Sequence, residues 1–160
     1  MSYLIARLDV RAGLQNIDVG SAANLRPLQW FNQLDPRDPL QLTNGVYGLL
    51  GRYYLKNNAN VWLWALYGND RSRGFDVLGS VNDRPEIGGR FQHPVGTGEL
   101  AASFHYRHVQ SAFSAQFAGE ETTPETRYAL DGKWDVGIGL WFEAAYIHKH
   151  VAAGVLPEQK

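Results

Sequence analysis

The stretch GRFQHPVGTGELAASFHYRH, residues 89–108, reads as two β-strands joined by a glycine-bearing turn. After the turn the side chains alternate. Leu100, Ala102, Phe104 and Tyr106 point one way, and Glu99, Ser103, His105 and Arg107 point the other. A soluble hairpin buries the apolar set and leaves the polar set wet. A membrane barrel turns the apolar set to lipid and the polar set to a water-filled lumen. Fold and function both depend on which side is the inside.

The same alternation recurs along the chain, whereas helical periodicity is scarce. Residues 5–14 place Ala6, Leu8, Val10, Ala12 and Leu14 on one face and Arg7, Asp9 and Arg11 on the other. Further strands are predicted in pairs: 45–55 with 60–68, 85–94 with 99–109, and 126–134 with 137–149, about seven strands in all. Within each pair the turn is short (56–60, 94–98, 134–137); between pairs the loops are long (20–44, 68–84, 109–126). Short turns on one edge, long loops on the other and strands near ten residues fit an antiparallel, up-and-down transmembrane β-barrel.

A weak repeat agrees with this architecture. Gly51-Arg52-Tyr53, Gly89-Arg90-Phe91 and Gly132-Lys133-Trp134 recur at spacings of 38 and 43 residues, each ahead of a short turn. Alternation puts the aromatic on the face opposite the cation each time, which suits an interfacial girdle outside and a charged lumen inside. The first strand runs into a long loop, so its short-turn partner is expected before Met1. The last ends in HKHVAAGVLPEQK and not in an aromatic strand. Single-chain bacterial barrels have even strand numbers and no open edges. Residues 1–160 are therefore expected to be one internal segment of a larger barrel. Its export signal is expected upstream, because MSYLIARLDVRAG has no basic region followed by a long apolar run.

Composition narrows the chemistry. With 15 basic and 16 acidic residues the chain carries no global basic field for nucleic acid. It has no cysteine, which excludes disulfides, thiolate metal sites and thiol catalysis. No nucleophile-elbow, P-loop or dinucleotide motif occurs. Ser103 and His105 share a face but stand about 7 Å apart along a strand, beyond a direct hydrogen bond. His148 and His150 read as interfacial histidines and not as a metal site, and Asp70, Asp76 and Asp83 are too scattered for a calcium loop. Neither an enzyme, a cofactor nor a metal is expected.

Three stretches carry a family resemblance. VRAGLQNIDVGSAANLRPLQWFNQLDPRDPLQLTNGVYGLLGRYYL (10–55) resembles the strand–loop–strand of porin-like outer-membrane proteins of Gram-negative bacteria. In these a G-x-Q-x-[IL]-x-x-G strand end leads into a loop rich in proline, aspartate and aromatics. RPEIGGRFQHPVGTGELAASFHYR (84–107) and ETRYALDGKWDVGIGLWFEAAYIHK (125–149) are similar to later hairpins of such barrels. The resemblance, loose and architectural, extends to alginate-export-like porins. It implies an outer-membrane location and passage of solutes or secreted polymer, without naming a substrate.

On this reading the lumen face carries Arg7, Asp9, Arg11, Arg52, Glu86, Arg90, Glu99, Arg107, Arg127, Asp131, Lys133 and Glu143. Charges on neighbouring strands can pair, and charged rings in a pore select ions by sign. The loop NQLDPRDPL (32–40) is a candidate constriction through Asp35, Arg37 and Asp38, with a surface loop fixed by prolines as the plainer alternative. In the hairpin 45–68 both faces are apolar, with Trp62, Trp64 and Leu66 against Val61, Leu63, Ala65 and Tyr67. Another barrel wall, a plug or a homo-oligomer interface would read that way. The expected function is passive diffusion or export of polar or ionic solutes through a charged lumen, with outer-membrane lipid as the outer partner. The alternative is a soluble β-barrel or sandwich that binds an apolar ligand.

Overall fold

The computed structural model describes residues 2–5 (backbone only), 7–21, 27–32, 44–76, 78–110 and 122–149. Eight strands form one sheet in chain order: β1 (Ser2–Ile5), β2 (Leu8–Gln15), β3 (Val46–Tyr54), β4 (Asn60–Leu66), β5 (Glu86–Val95), β6 (Gly98–Gln110), β7 (Thr122–Asp135) and β8 (Gly139–Lys149). Every neighbouring pair is antiparallel. The described residues contain no helix. β1 and β8 do not pair with each other among the described residues, so the sheet is open.

Seven strands of seven residues or more lie where the alternation places them; β1 is a short eighth. It corrects the reading of 5–14 as one strand. Ile5 pairs with Leu8 across a tight turn, so the short-turn partner of β2 begins within the chain. Arg7 lies in that turn and is exposed, not on a strand face. Alternation runs unbroken through the turn, and neither Ala6 nor Arg7 is a turn-favouring residue, which hid the break.

Each short turn has a local cause. Between β5 and β6 the pair Val95↔Gly98 leaves two loop residues, with Gly96 at φ 62°. Positive φ at the first loop position matches the right-handed twist of the flanking strands. Between β3 and β4, Asn58 takes φ 61°, a conformation asparagine tolerates better than most residues. Between β7 and β8, Gly137 takes φ 90° and its N–H donates to Asp135 Oδ1 at 3.2 Å.

The register sorts side chains into two faces. One row joins Asp9, Arg52, Trp62, Arg90, Ser103 and Ala129; the next joins Arg11, Leu50, Trp64, Gly88, His105 and Arg127. Described segments of two long loops, 17–21 with 27–32 and 73–76 with 78–80, cover this inner face. Ile17, Val19, Leu28, Trp30 and Phe31 pack on Val46, Leu50, Trp64 and Leu66 to form the apolar core. On the Trp64 side of the doubly apolar hairpin the apolar face is covered by the loop residues Leu28, Trp30 and Phe31. The outer face carries Leu14, Tyr47, Leu49, Leu63, Ile87, Phe91, Tyr128, Leu130 and Tyr146, all exposed.

Candidate functional site

The inner face is charged and dry. Among the described residues the two bulkiest fully buried side chains are Arg107 and Arg127, 1% and 2% exposed. Such groups are tolerated away from water only when paired and hydrogen-bonded. Glu125 Oε1 accepts from Arg107 Nε at 2.6 Å and from Arg127 Nε at 2.7 Å. Asp76, from the β4–β5 loop, meets the other side of both guanidiniums, at 2.9 Å from Arg107 and 2.6 Å from Arg127. Lys149 reaches Glu125 from the edge strand at 3.1 Å.

A second cluster joins β4, β5 and β6. Arg73 donates from Nη2 to both Glu86 oxygens at 2.7 Å and to Ser80 Oγ at 2.7 Å. Trp64 Nε1 donates to His105 Nδ1 at 3.1 Å, which leaves the His105 Nε2–H to donate to Glu86 Oε2, also at 3.1 Å. The indole reaches from β4 to β6 because Gly88 stands between them in the same row. A Cβ on Gly88 would overlap the indole and the Phe104 carbonyl. Trp30 stacks on His105 with centroids 6.1 Å apart, and Phe31 meets both His105 and Trp64 edge-on at 5.1 and 5.2 Å.

Nearer the short turns, Arg90 forks onto Asp131 at 2.5 and 2.8 Å and donates to Ser103 Oγ at 3.0 Å. Ser21 Oγ donates to Asp131 Oδ2 at 3.0 Å, tying the first long loop to β7. Arg52 lies over the Trp62 ring, 3.9 Å from its centroid, a favourable cation–π separation. Asp9 pairs with Arg11 at 2.8 Å, and Glu99 with Lys133 at 2.9 Å and with Gln92.

Eleven of the twelve candidate lumen residues therefore share the inner face, Arg7 being the exception. Their surroundings differ from the wet lumen expected. Asp9, Glu86, Arg90, Arg107, Arg127 and Asp131 are buried, and loop side chains bond directly to Glu86, Arg107, Arg127 and Asp131. Arg11 and Lys133 remain partly open to solvent, and Glu143 lies against Gly20. Asp35, Arg37 and Asp38 lie outside the described residues. The inward-folded segment that is described, 27–32, precedes them.

Sequence reasoning missed the loop contributions: Arg73, Asp76 and Ser80 from one loop, Trp30 and Phe31 from the other. One signal was available. Arg107 and Arg127 stand beside a single strand carboxylate, Glu125, and so require a second acid from outside the strands. Ser103 and His105 are engaged separately, with Arg90 and with Glu86 and Trp64. Among the described residues no group of three or more His, Asp and Glu is placed to hold a metal ion. Comparison with known proteins adds no family to this geometry: no family model, no curated protein and no solved structure matches the chain.

Proposed function

We propose that the chain is wall and inner loop of an outer-membrane β-barrel that passes polar or ionic solutes passively along its charged face. The observation that carries this reading is the inversion of the sheet. Arg107, Arg127, Glu86 and Glu125 are buried, while Leu63 is 65% and Tyr146 63% exposed. Monomeric soluble proteins rarely expose an apolar patch of more than a few hundred Å². Here the exposed apolar residues run from Leu14 on β2 to Tyr146 on β8. Aromatics flank the outer face at both ends, with Tyr47, Tyr67 and Tyr106 toward the long loops and Tyr53, Phe91, Trp134 and Phe142 toward the short turns. The repeated triplets fall as a girdle requires, since Tyr53, Phe91 and Trp134 stand outside and Arg52, Arg90 and Lys133 inside. Hydrocarbon does not tolerate an open edge, so in this reading β1 and β8 pair with further strands in the membrane.

A second reading has one observation in its favour. A groove of about 700 Å³ crosses the outer face over Gly88 and Gly89, walled by Leu63, Ile87, Phe104 and Tyr128. A soluble sheet binding an apolar ligand would hold it there. The absence of cysteine makes the two separable with single-cysteine variants. In lipid vesicles, Leu63→Cys and Leu130→Cys are expected to resist a membrane-impermeant maleimide while Lys133→Cys, at the wet rim, reacts. The same preparation is expected to conduct ions across a planar bilayer. Equal labelling at all three positions would overturn the membrane reading.

A further inference from the structure

The two loop segments on the inner face are joined to each other, and the joint is narrow. The Gly74 N–H donates to the Asn32 carbonyl at 2.8 Å. Gly74 takes φ +56°, and a Cβ there would overlap the Gln29 carbonyl, so the backbones of the two loops touch at a point only glycine permits. On one side of Gly74, Arg73 is fastened to Glu86 and Ser80. On the other, Asp76 is gripped by Arg107 and Arg127. Arg127 in turn lies 6.0 Å from the Trp30 ring centroid, above the segment that Gly74 holds. The β4–β5 loop is thus fixed to the wall by charge at residues 73 and 76, and between them it carries the contact to 29–32.

We propose that residues 73–76 are a latch that holds segment 27–32 against the inner wall, with Asp76 as its positioning residue. Segment 27–32 has little charge anchorage of its own. Leu28, Trp30 and Phe31 bury apolar surface, and among the described residues the Trp30 backbone N–H bonds the nearby Leu28 carbonyl. Releasing 73–76 therefore frees 27–32 while the sheet, held by its own ladder from β2 to β8, stays formed. The consequence for passage rests on the barrel reading: with the latch closed, the aromatic segment narrows the lumen on this side, and with it open the aperture widens.

Hydrogen exchange on the whole chain tests the latch without assuming a pore. Gly74→Ala, which changes no charge, should speed amide exchange in 27–32 by about tenfold with β5–β7 as protected as before. Asp76→Asn, which also leaves Arg107 and Arg127 short of an acid, should speed exchange in 27–32 by more than it speeds exchange in β5–β7. Asp76→Glu, which keeps the charge, should restore most of the protection. Unchanged exchange in 27–32 in both variants overturns the latch. So does a matching rise across β5–β7, because 73–76 would then hold the sheet itself. Planar-bilayer conductance is read on the same proteins, and a larger unitary conductance in the variants is the expected result. Equal conductance with faster local exchange rejects the aperture role, and a parent protein that does not conduct counts against the barrel reading alone.

Discussion

Leu63→Arg separates lipid from water by the size of its effect. Leu63 is the middle residue of β4, on the outer face, and its row neighbours are Gly51 and Gly89. A long side chain there meets no buried polar group. In water, such a surface substitution changes stability by roughly 0.5 kcal/mol or less. In hydrocarbon, an outward arginine near the midplane costs about 2–4 kcal/mol. Depth supports the larger figure. A seven-residue strand rising about 3.4 Å per residue and tilted by about 40° spans roughly 18 Å, which leaves Leu63 about 9 Å from either end. Snorkelling toward the interface recovers part of the cost, so about 2 kcal/mol is expected. The two media then differ by about 1.5 kcal/mol, or more than tenfold in the folding constant. Equilibrium urea unfolding from lipid vesicles, followed by tryptophan emission, measures the difference. Thr97→Arg in the exposed β5–β6 turn is the control, with no more than about 0.5 kcal/mol expected. A Leu63→Arg protein as stable in vesicles as the control would remove the outer face from lipid.

Two further substitutions address the inner face. Glu125→Gln leaves Arg107 and Arg127 to share Asp76, and breaking a buried pair in this way costs about 3–5 kcal/mol. A lowered urea midpoint is the expected result, and a loss below about 1 kcal/mol would mean that water reaches these guanidiniums. Gly88→Ala puts a methyl into the Trp64 indole and should cost about 1–3 kcal/mol through overpacking and loss of the Trp64–His105 bond. The change should also appear in the tryptophan emission, with Trp64→Phe as the reference. An unaltered spectrum would show that the indole does not cross β5 over Gly88.

The sequence shows where the sheet lies because the chemistry of a strand is local. Alternation from Glu99 to Arg107 fixes which side chains share a face, and the register confirms each of them. The turns at Gly96 and Asn58 are equally legible, since residue type and backbone conformation coincide there. What covers a face is a different kind of fact. Nothing local to SRGFD (72–76) says that its arginine will reach Glu86 and its aspartate Arg127. These contacts depend on the path of the loop across four strands. The burial of the inner charges was hidden for the same reason. Eleven of the twelve charges lie on the inner face as expected, but the loops in front of them are not written in the strands. The repeated triplet takes in Gly89 and leaves out Gly88, yet it is Gly88 that makes room for an indole from the neighbouring strand.

The pattern of burial sets the two faces in thermodynamic conflict as long as the surrounding medium is water. Burying Arg73, Arg90, Arg107 and Arg127 against Glu86, Asp131, Asp76 and Glu125 gains little over apolar residues of the same volume, since desolvation offsets most of the attraction. Meanwhile Leu63, Leu130, Leu140 and Tyr146 stay exposed, forgoing about 25 cal/mol for each Å² of apolar surface left in water. Exchanging the two sets of residues would relieve both penalties at once if the medium on both sides were water. With lipid at the outer face the conflict disappears. The apolar residues then meet a medium in which they cost nothing, and the charges keep each other on the only side where polar groups can be satisfied. The exchange would now be ruinous, because it would put four arginines into hydrocarbon. The same residues are therefore consistent with one another in lipid and at odds in water, and that asymmetry is what the Leu63→Arg measurement weighs.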